Sequence, residues 1–243
     1  MRRLEIFALI LIAVLGACSK QDPILPGARE SIFDEQAPVA AGAMIANLPE
    51  TAFAPKNAEC SYIQDSSNSI FRDGKKIFGG FPTSNSVKSE QKPVCDGGFV
   101  YAGLTTGELV KINPKTREIA WIADIFKTSS MTGGSSALDI TAPIVIKDKN
   151  VYVGGLGDIF CKLNKSSGAK IWCANIGTGE PFVIAGAAVF IIGTNNLLYA
   201  VDDKDGGIYW NAKLKKQAAP EYENKIITVG KEKFDATNGE SLK

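Results

Sequence analysis

The sequence predicts an all-β fold of tandem four-stranded sheets: a β-propeller, small or partial, of about four to five blades. Three observations carry this. First, the stretches 93–121, 143–172 and 181–210 align end to end, and a fourth begins at Pro220. Second, in each of the three a turn opens at Asn113, Asn164 or Asp202, eight residues before Trp121, Trp172 or Trp210. Third, the apolar runs are short, rich in Val, Ile, Phe and Tyr, and end at Gly103, Gly154, Gly193 and Gly230. Four such runs in about 40 residues is the spacing of a propeller blade.

The chain divides accordingly. Residues 1–17 read as an export signal, with Arg2 and Arg3 ahead of an apolar run from Ile6 to Ala17. That run is shorter than the roughly 20 residues a bilayer crossing needs. It ends in Leu15-Gly16-Ala17-Cys18, the pattern of a lipoprotein cleavage site, which would leave Cys18 acylated with fatty acids such as palmitate on its sulfur and new amino group. The competing reading is an ordinary signal peptide with a chance cysteine. Residues 18–58 read as a spacer, because Pro23, Pro26, Pro38, Pro49 and Pro55 lie among many alanines. Residues 59–243 carry the repeats, with units near 60–92, 93–125, 143–177, 181–214 and 220–243. The first and the last of these have no tryptophan, and a propeller is expected to pack the indoles of the other three between blades.

Several function classes are excluded at this level. The 243 residues contain no histidine, so Ser-His-Asp triads, histidine-ligated zinc and histidine acid–base catalysis are absent. Charges number 27 basic and 26 acidic, and removing Arg2, Arg3 and Glu5 with the signal leaves 25 of each. A neutral chain has no electrostatic footprint for nucleic acid. The segment "GGLGD" at 154–158 has Phe160 at the third glycine position of a dinucleotide loop and no helix after it. Ser167-Gly168-Ala169-Lys170 and Ser89-Glu90-Gln91-Lys92 both match a Ser-x-x-Lys nucleophile pattern, but the first sits in a hairpin turn. Asp202, Asp203 and Asp205 resemble a carboxylate cluster that turn chemistry also explains. No catalytic residue, metal site or cofactor is expected.

Cys60, Cys95, Cys161 and Cys173 allow three disulfide pairings. If the hairpin turn centres on Ser167, Cys161 faces Cys173, and a bond there would leave Cys60 with Cys95. The alternative is that Cys161 and Cys173 are small apolar fillers.

The repeats resemble the PQQ-type propeller repeat. With the lipoprotein signal and Leu25-Pro26-Gly27-x-Arg29 in "DPILPGARESIF", the chain resembles the BamB family of lipoproteins in the outer-membrane β-barrel assembly machinery. The resemblance implies a non-enzymatic scaffold, lipid-anchored at the periplasmic face of the outer membrane. Its implied partners are the periplasmic domains of the barrel insertase and the other assembly lipoproteins. Family members close eight blades, about 320 residues at 40 per blade, so residues 59–243 form a small ring, an open arc or a shortened form. The remaining readings are a generic periplasmic interaction or ligand-binding lipoprotein, a degenerate copy, and a quinone-dependent dehydrogenase, for which no acid-rich calcium cluster is present.

Partner docking is expected in the long insertion between Trp121 and Pro143, whose residues 126–142 are rich in Ser, Thr and Gly and end in Leu138-Asp139-Ile140. The resemblance implies that an acidic loop there contacts the insertase. Asp139 matches the family's first acid, while Thr141 stands at its second. A solvated connector is the competing reading.

Overall fold

The computed structural model describes residues 43–55, 60–81, 92–125 and 138–242. Every regular element among them is a strand. The first sheet contains β1 (Ile63–Gln64), β2 (Ile70–Arg72) and β3 (Lys75–Phe78). The second contains β4 (Val94–Asp96), β5 (Phe99–Gly103), β6 (Glu108–Asn113) and β7 (Glu118–Asp124). The third contains β8 (Val145–Lys147), β9 (Asn150–Gly155), β10 (Ile159–Asn164) and β11 (Lys170–Ala174). The fourth contains β12 (Val183–Ala185), β13 (Ala188–Ile192), β14 (Leu197–Asp202) and β15 (Ile208–Lys213). The fifth contains β16 (Pro220–Glu223), β17 (Ile226–Val229), β18 (Glu232–Asp235) and β19 (Ser241–Leu242). Each sheet is an antiparallel meander in chain order, so every pairing is between neighbours in sequence.

Alternation within the strands builds the core. In β5, Val100 and Ala102 join Tyr62 and Ile70 of the first sheet, while Tyr101 joins Val151 and Val153 of the third. In β9, Tyr152 faces the other way, toward Val189 and Ile191 of the fourth sheet. In β13, Phe190 and Ile192 pack with Ile227 and Phe234 of the fifth. The middle strands are thus buried on both faces and read as continuous apolar runs, and successive sheets stack face to face.

Residues 43–55 depart from the expected spacer. Ile45 and Leu48 are buried in the core between the fourth and fifth sheets. Thr51 bridges Glu223 of β16, the Phe53 amide donates to Ile184 O at 2.7 Å, and the Asn224 amide donates to Glu50 O at 2.8 Å. The Tyr222 hydroxyl donates to Pro49 O, and Lys225 pairs with Glu50 at 3.5 Å. Proline and alanine discourage helix and sheet interiors, but they leave an extended strap free to lie along a strand edge and bury two branched side chains. Residues 1–42, including Cys18, lie outside the described residues.

Candidate functional site

The repeated feature of the molecule is the joint between consecutive sheets. Each tryptophan reaches the turn of the next sheet. Trp121 Nε1 donates to Lys165 O at 3.1 Å, Trp172 to Asp203 O at 2.9 Å and Trp210 to Ala236 O at 3.2 Å. These three acceptors occupy one position, the residue after the Asn or Asp that opens the turn. The same indoles lie flat against Gly168, Gly206 and Gly239, whose φ angles are 73°, 82° and 77°. A Cβ at Gly168 or Gly206 would sit 2.8 Å from the ring, and at Gly239 it would sit 2.6 Å away. Glycine is therefore required twice over, for the left-handed backbone and for the contact.

The first joint is built differently. In the second sheet the turn residue corresponding to these glycines is Arg117, at φ 62°. In the second and fourth sheets, counting back four residues from the amides that close the strand, Ile125 to Gly107 O and Leu214 to Asn196 O, lands on Trp121 and Trp210. In those sheets and the third the tryptophan is also the first residue after the bulge in the last strand pairing, and in the first sheet that place holds Phe78, partly buried against the cluster of Tyr62, Ile70 and Val100. This joint instead carries the disulfide Cys60–Cys95 and the carboxamide of Asn68. Asn68 Nδ2 donates to Phe81 O at 2.7 Å and Thr105 Oγ1 at 2.8 Å, and its Oδ1 accepts from the Thr105 amide at 2.9 Å.

Ion pairs flank two of the indole joints, with reversed polarity. Asp96, the last residue of β4, meets Lys165 at 2.9 Å. Lys147, the last residue of β8, meets Asp203 at 3.9 Å. Asp203 also takes Lys162 at 2.9 Å and the Tyr152 hydroxyl at 2.7 Å. At the joint between the fourth and fifth sheets the corresponding residues are Ala185 and Ala236, both buried. Burial, and then the hydrogen bond to Asp203, pushes the Tyr152 hydroxyl pKa well above its ordinary value. Burial, with the Lys165 charge adding to it, lowers that of the Lys111 ammonium, which donates to Lys165 O at 3.0 Å.

The residues singled out in the sequence fall as follows. Cys161 and Cys173 are directly opposed across β10 and β11 and joined by a disulfide. Gly103 packs against the Ile140 side chain, and a Cβ on Gly154 would sit 2.7 Å from Phe160. Gly193 donates its amide to Leu197 O at 2.8 Å. "GGLGD" finishes β9 and turns into β10, a strand. Ser167 Oγ accepts the Ala169 amide, and Lys170 Nζ donates to Ile125 O, so this Ser-x-x-Lys is spent on a turn and a joint. Ser89-Glu90-Gln91 lies outside the described residues. Asp202 accepts the Lys204 amide and the Tyr209 hydroxyl, Asp205 accepts the Gly207 amide, and Asp203 serves the joint. No group of three or more Cys, Asp or Glu suited to a metal ion occurs among the described residues.

The docking trio is corrected in part. Asp139 and Ile140 are each 1% exposed, whereas Leu138 is 40% exposed. Ile140 bridges Gly155 and fills the space over Gly103, and the Asp139 carbonyl accepts the Leu156 amide. These residues are the seam between the second and third sheets, which leaves Leu138 as the member of the trio with surface to offer. Residues 126–137 lie outside the described residues. The sequence reading missed the ion pairs, although opposite charges stand at equivalent positions of the first two indole units.

Stacked antiparallel meanders, four of them four-stranded, with an indole clamp at three of the four joints, have the fold of a β-propeller built of PQQ-like repeats. Over part of its length the chain is similar to BamB proteins. A family model described as "Outer membrane protein assembly factor BamB" matches residues 157–241. Proteins of that name from Yersinia pestis and Kangiella koreensis are similar at 23% identity over 133 residues and 18% over 125 residues. These matches take in 54% and 51% of this chain but 34% and 32% of the relatives, so the chain spans about a third of their length. Among solved structures, BamB from Moraxella catarrhalis matches with a TM-score of 0.51 at 16% identity, over 82% of this chain and 64% of that one. A quinohemoprotein alcohol dehydrogenase from Pseudomonas putida matches with a TM-score of 0.55 at 16% identity, over 75% of this chain and 40% of that one. Both structural likenesses concern the fold.

Proposed function

We propose that this chain is a lipid-anchored, non-enzymatic scaffold at the periplasmic face of the outer membrane. It serves β-barrel protein assembly and insertion by binding the periplasmic domains of the barrel insertase alongside other assembly lipoproteins. The observation that carries this reading is the match of residues 157–241 to an outer-membrane assembly factor family. The sequence ending in Cys18 supports the anchor, since acyl chains contribute about 0.8 kcal/mol per buried CH₂ and several together hold firmly. The clamped joints suit a platform: a rigid surface binds a partner with little ordering cost. In this reading the 126–138 insertion is the docking element, and the seam at Asp139 and Ile140 fixes its root.

The test is a photo-crosslinking scan through residues 126–138 in intact cells, with Leu138 as the described reference position. Adducts with the insertase are the expected result. If every position fails to capture an assembly component, the docking reading is lost, and a propeller lipoprotein with another periplasmic partner replaces it. Cys18→Ala should abolish labelling by an alkyne palmitate analogue, and retained labelling would refute the anchor.

A further inference from the structure

The molecule's two disulfides do different work. Cys161–Cys173 joins two strands that are already paired in register, with Cys161 fully buried and Cys173 partly buried. Cys60–Cys95 joins the lead into β1 to β4, so it ties one sheet to the next. It lies at the joint where Phe78 and Arg117 stand in place of the indole and the glycine. Both of its cysteines are only partly buried, at the edge of the cluster formed by Tyr62, Ile70, Val100 and Ile112. Tyr62, in the lead into β1, and Ile70 of β2 are buried in that cluster, and Ile77 and Phe78 of β3 pack against it partly buried. Polar contacts across the joint include those of Asn68 with Thr105 and the Gln64 carboxamide donating to Gly103 O at 2.8 Å.

We infer that Cys60–Cys95 is a thiol-sensitive latch holding the first sheet on the second, while Cys161–Cys173 is a fixed staple. The reductant is a dithiol, either a dithiol oxidoreductase of the compartment or dithiothreitol in solution. One thiolate of the dithiol attacks a latch sulfur, forms a mixed disulfide and expels the other cysteine as a thiolate. The second thiol of the dithiol gives up its proton and displaces the remaining cysteine. Two electrons pass to the latch, the cysteines take up the two protons, and the reagent leaves as a disulfide. With the bond open, the first sheet is held by the Asn68 and Gln64 carboxamides and by the packing of Tyr62, Ile70, Ile77 and Phe78, and it becomes the least protected sheet. Nothing in this step involves the assembly partner, so it stands or falls apart from the function proposed above.

The test uses the purified full chain in detergent, titrated with dithiothreitol and pulse-alkylated. Cys60 and Cys95 should alkylate together at a reductant level that leaves Cys161 and Cys173 bonded. At that level amide exchange in residues 60–81 should rise about tenfold or more, while exchange in 145–174 stays unchanged. The Cys60→Ser/Cys95→Ser double variant should reproduce the raised exchange without reductant, and Cys161→Ser/Cys173→Ser should not. Equal or reversed order of alkylation would overturn the proposal, as would opening of Cys60–Cys95 with unchanged exchange in 60–81.

Discussion

The joints after the second, third and fourth sheets use packing, and the joint after the first uses a covalent bond and a carboxamide. In the three packed joints an indole lies on a left-handed glycine and donates to the neighbouring turn carbonyl. In the first, the position of the indole holds Phe78 and that of the glycine holds Arg117. The two losses are coupled. A turn not covered by a ring has no close approach to protect, so a side chain is tolerated there despite a left-handed backbone cost of about 1–2 kcal/mol. Loop-closure entropy compensates, since a disulfide across 35 residues stabilises by about 4 kcal/mol against about 3 kcal/mol for one across 12 residues.

The comparison breaks most sharply at an indole. Trp172→Ala should cost about 3–5 kcal/mol in urea unfolding, through lost burial and an unpaired turn carbonyl. A loss below about 1 kcal/mol would show that the joints do not depend on their rings. The next effect is at the glycines. Gly168→Ala should cost clearly more than Gly74→Ala, because both have φ 73° but only the former would bring a Cβ against Trp121. The Gly74 change should cost about 1–2 kcal/mol from the backbone alone. Equal losses would assign the whole effect to backbone conformation.

Reversing a flanking pair gives a smaller change. Lys165→Asp faces Asp96 with a like charge, and adding Asp96→Lys should restore about 0.5–1 kcal/mol, since the pair is partly exposed. No recovery in a double-mutant cycle would remove the pair from the joint. The mildest effect is in alkali. Burial, then the hydrogen bond to Asp202, raises the Tyr209 hydroxyl pKa to about 12 from 10.0. A folded-state pKa above the unfolded value gives stability that is full below pH 10 and lost as pH rises through 12. Tyr209→Phe should flatten that limb of a stability–pH curve. An unchanged limb would leave Tyr101 and Tyr152, whose pKa values are raised in the same direction, as its source.

How much was legible depends on how local the cause is. Strand runs, turn openers and indole spacing come from neighbours in sequence, and the sheets formed where that pattern placed them. The register that sets Cys161 opposite Cys173 was countable from one turn, whereas the choice between a bond and two fillers was not. Asp139 looked like surface because an acid in a Ser- and Gly-rich loop is ordinarily solvated. Its burial follows from the sheets that meet at its end of the loop, a contact with no local signature. The strap misled for the same reason: Ile45 and Leu48 find their partners in residues 185–236. The lack of a tryptophan in 60–92 was visible, but its link to Arg117 needed the knowledge that each ring serves the following turn.

That strap has a consequence for the order of events when the chain is made. Pro49 and Tyr222 are 173 residues apart in sequence. Ile45 and Leu48 lie in a cluster shared by the fourth and fifth sheets, so they are fully covered only once both of those later sheets exist. Contacts of such separation are slow to close, and until they do, this apolar pair is exposed to chaperones and proteases. A defect in the final twenty residues should therefore first reveal itself as cleavage near residue 45, at the opposite end of the polypeptide.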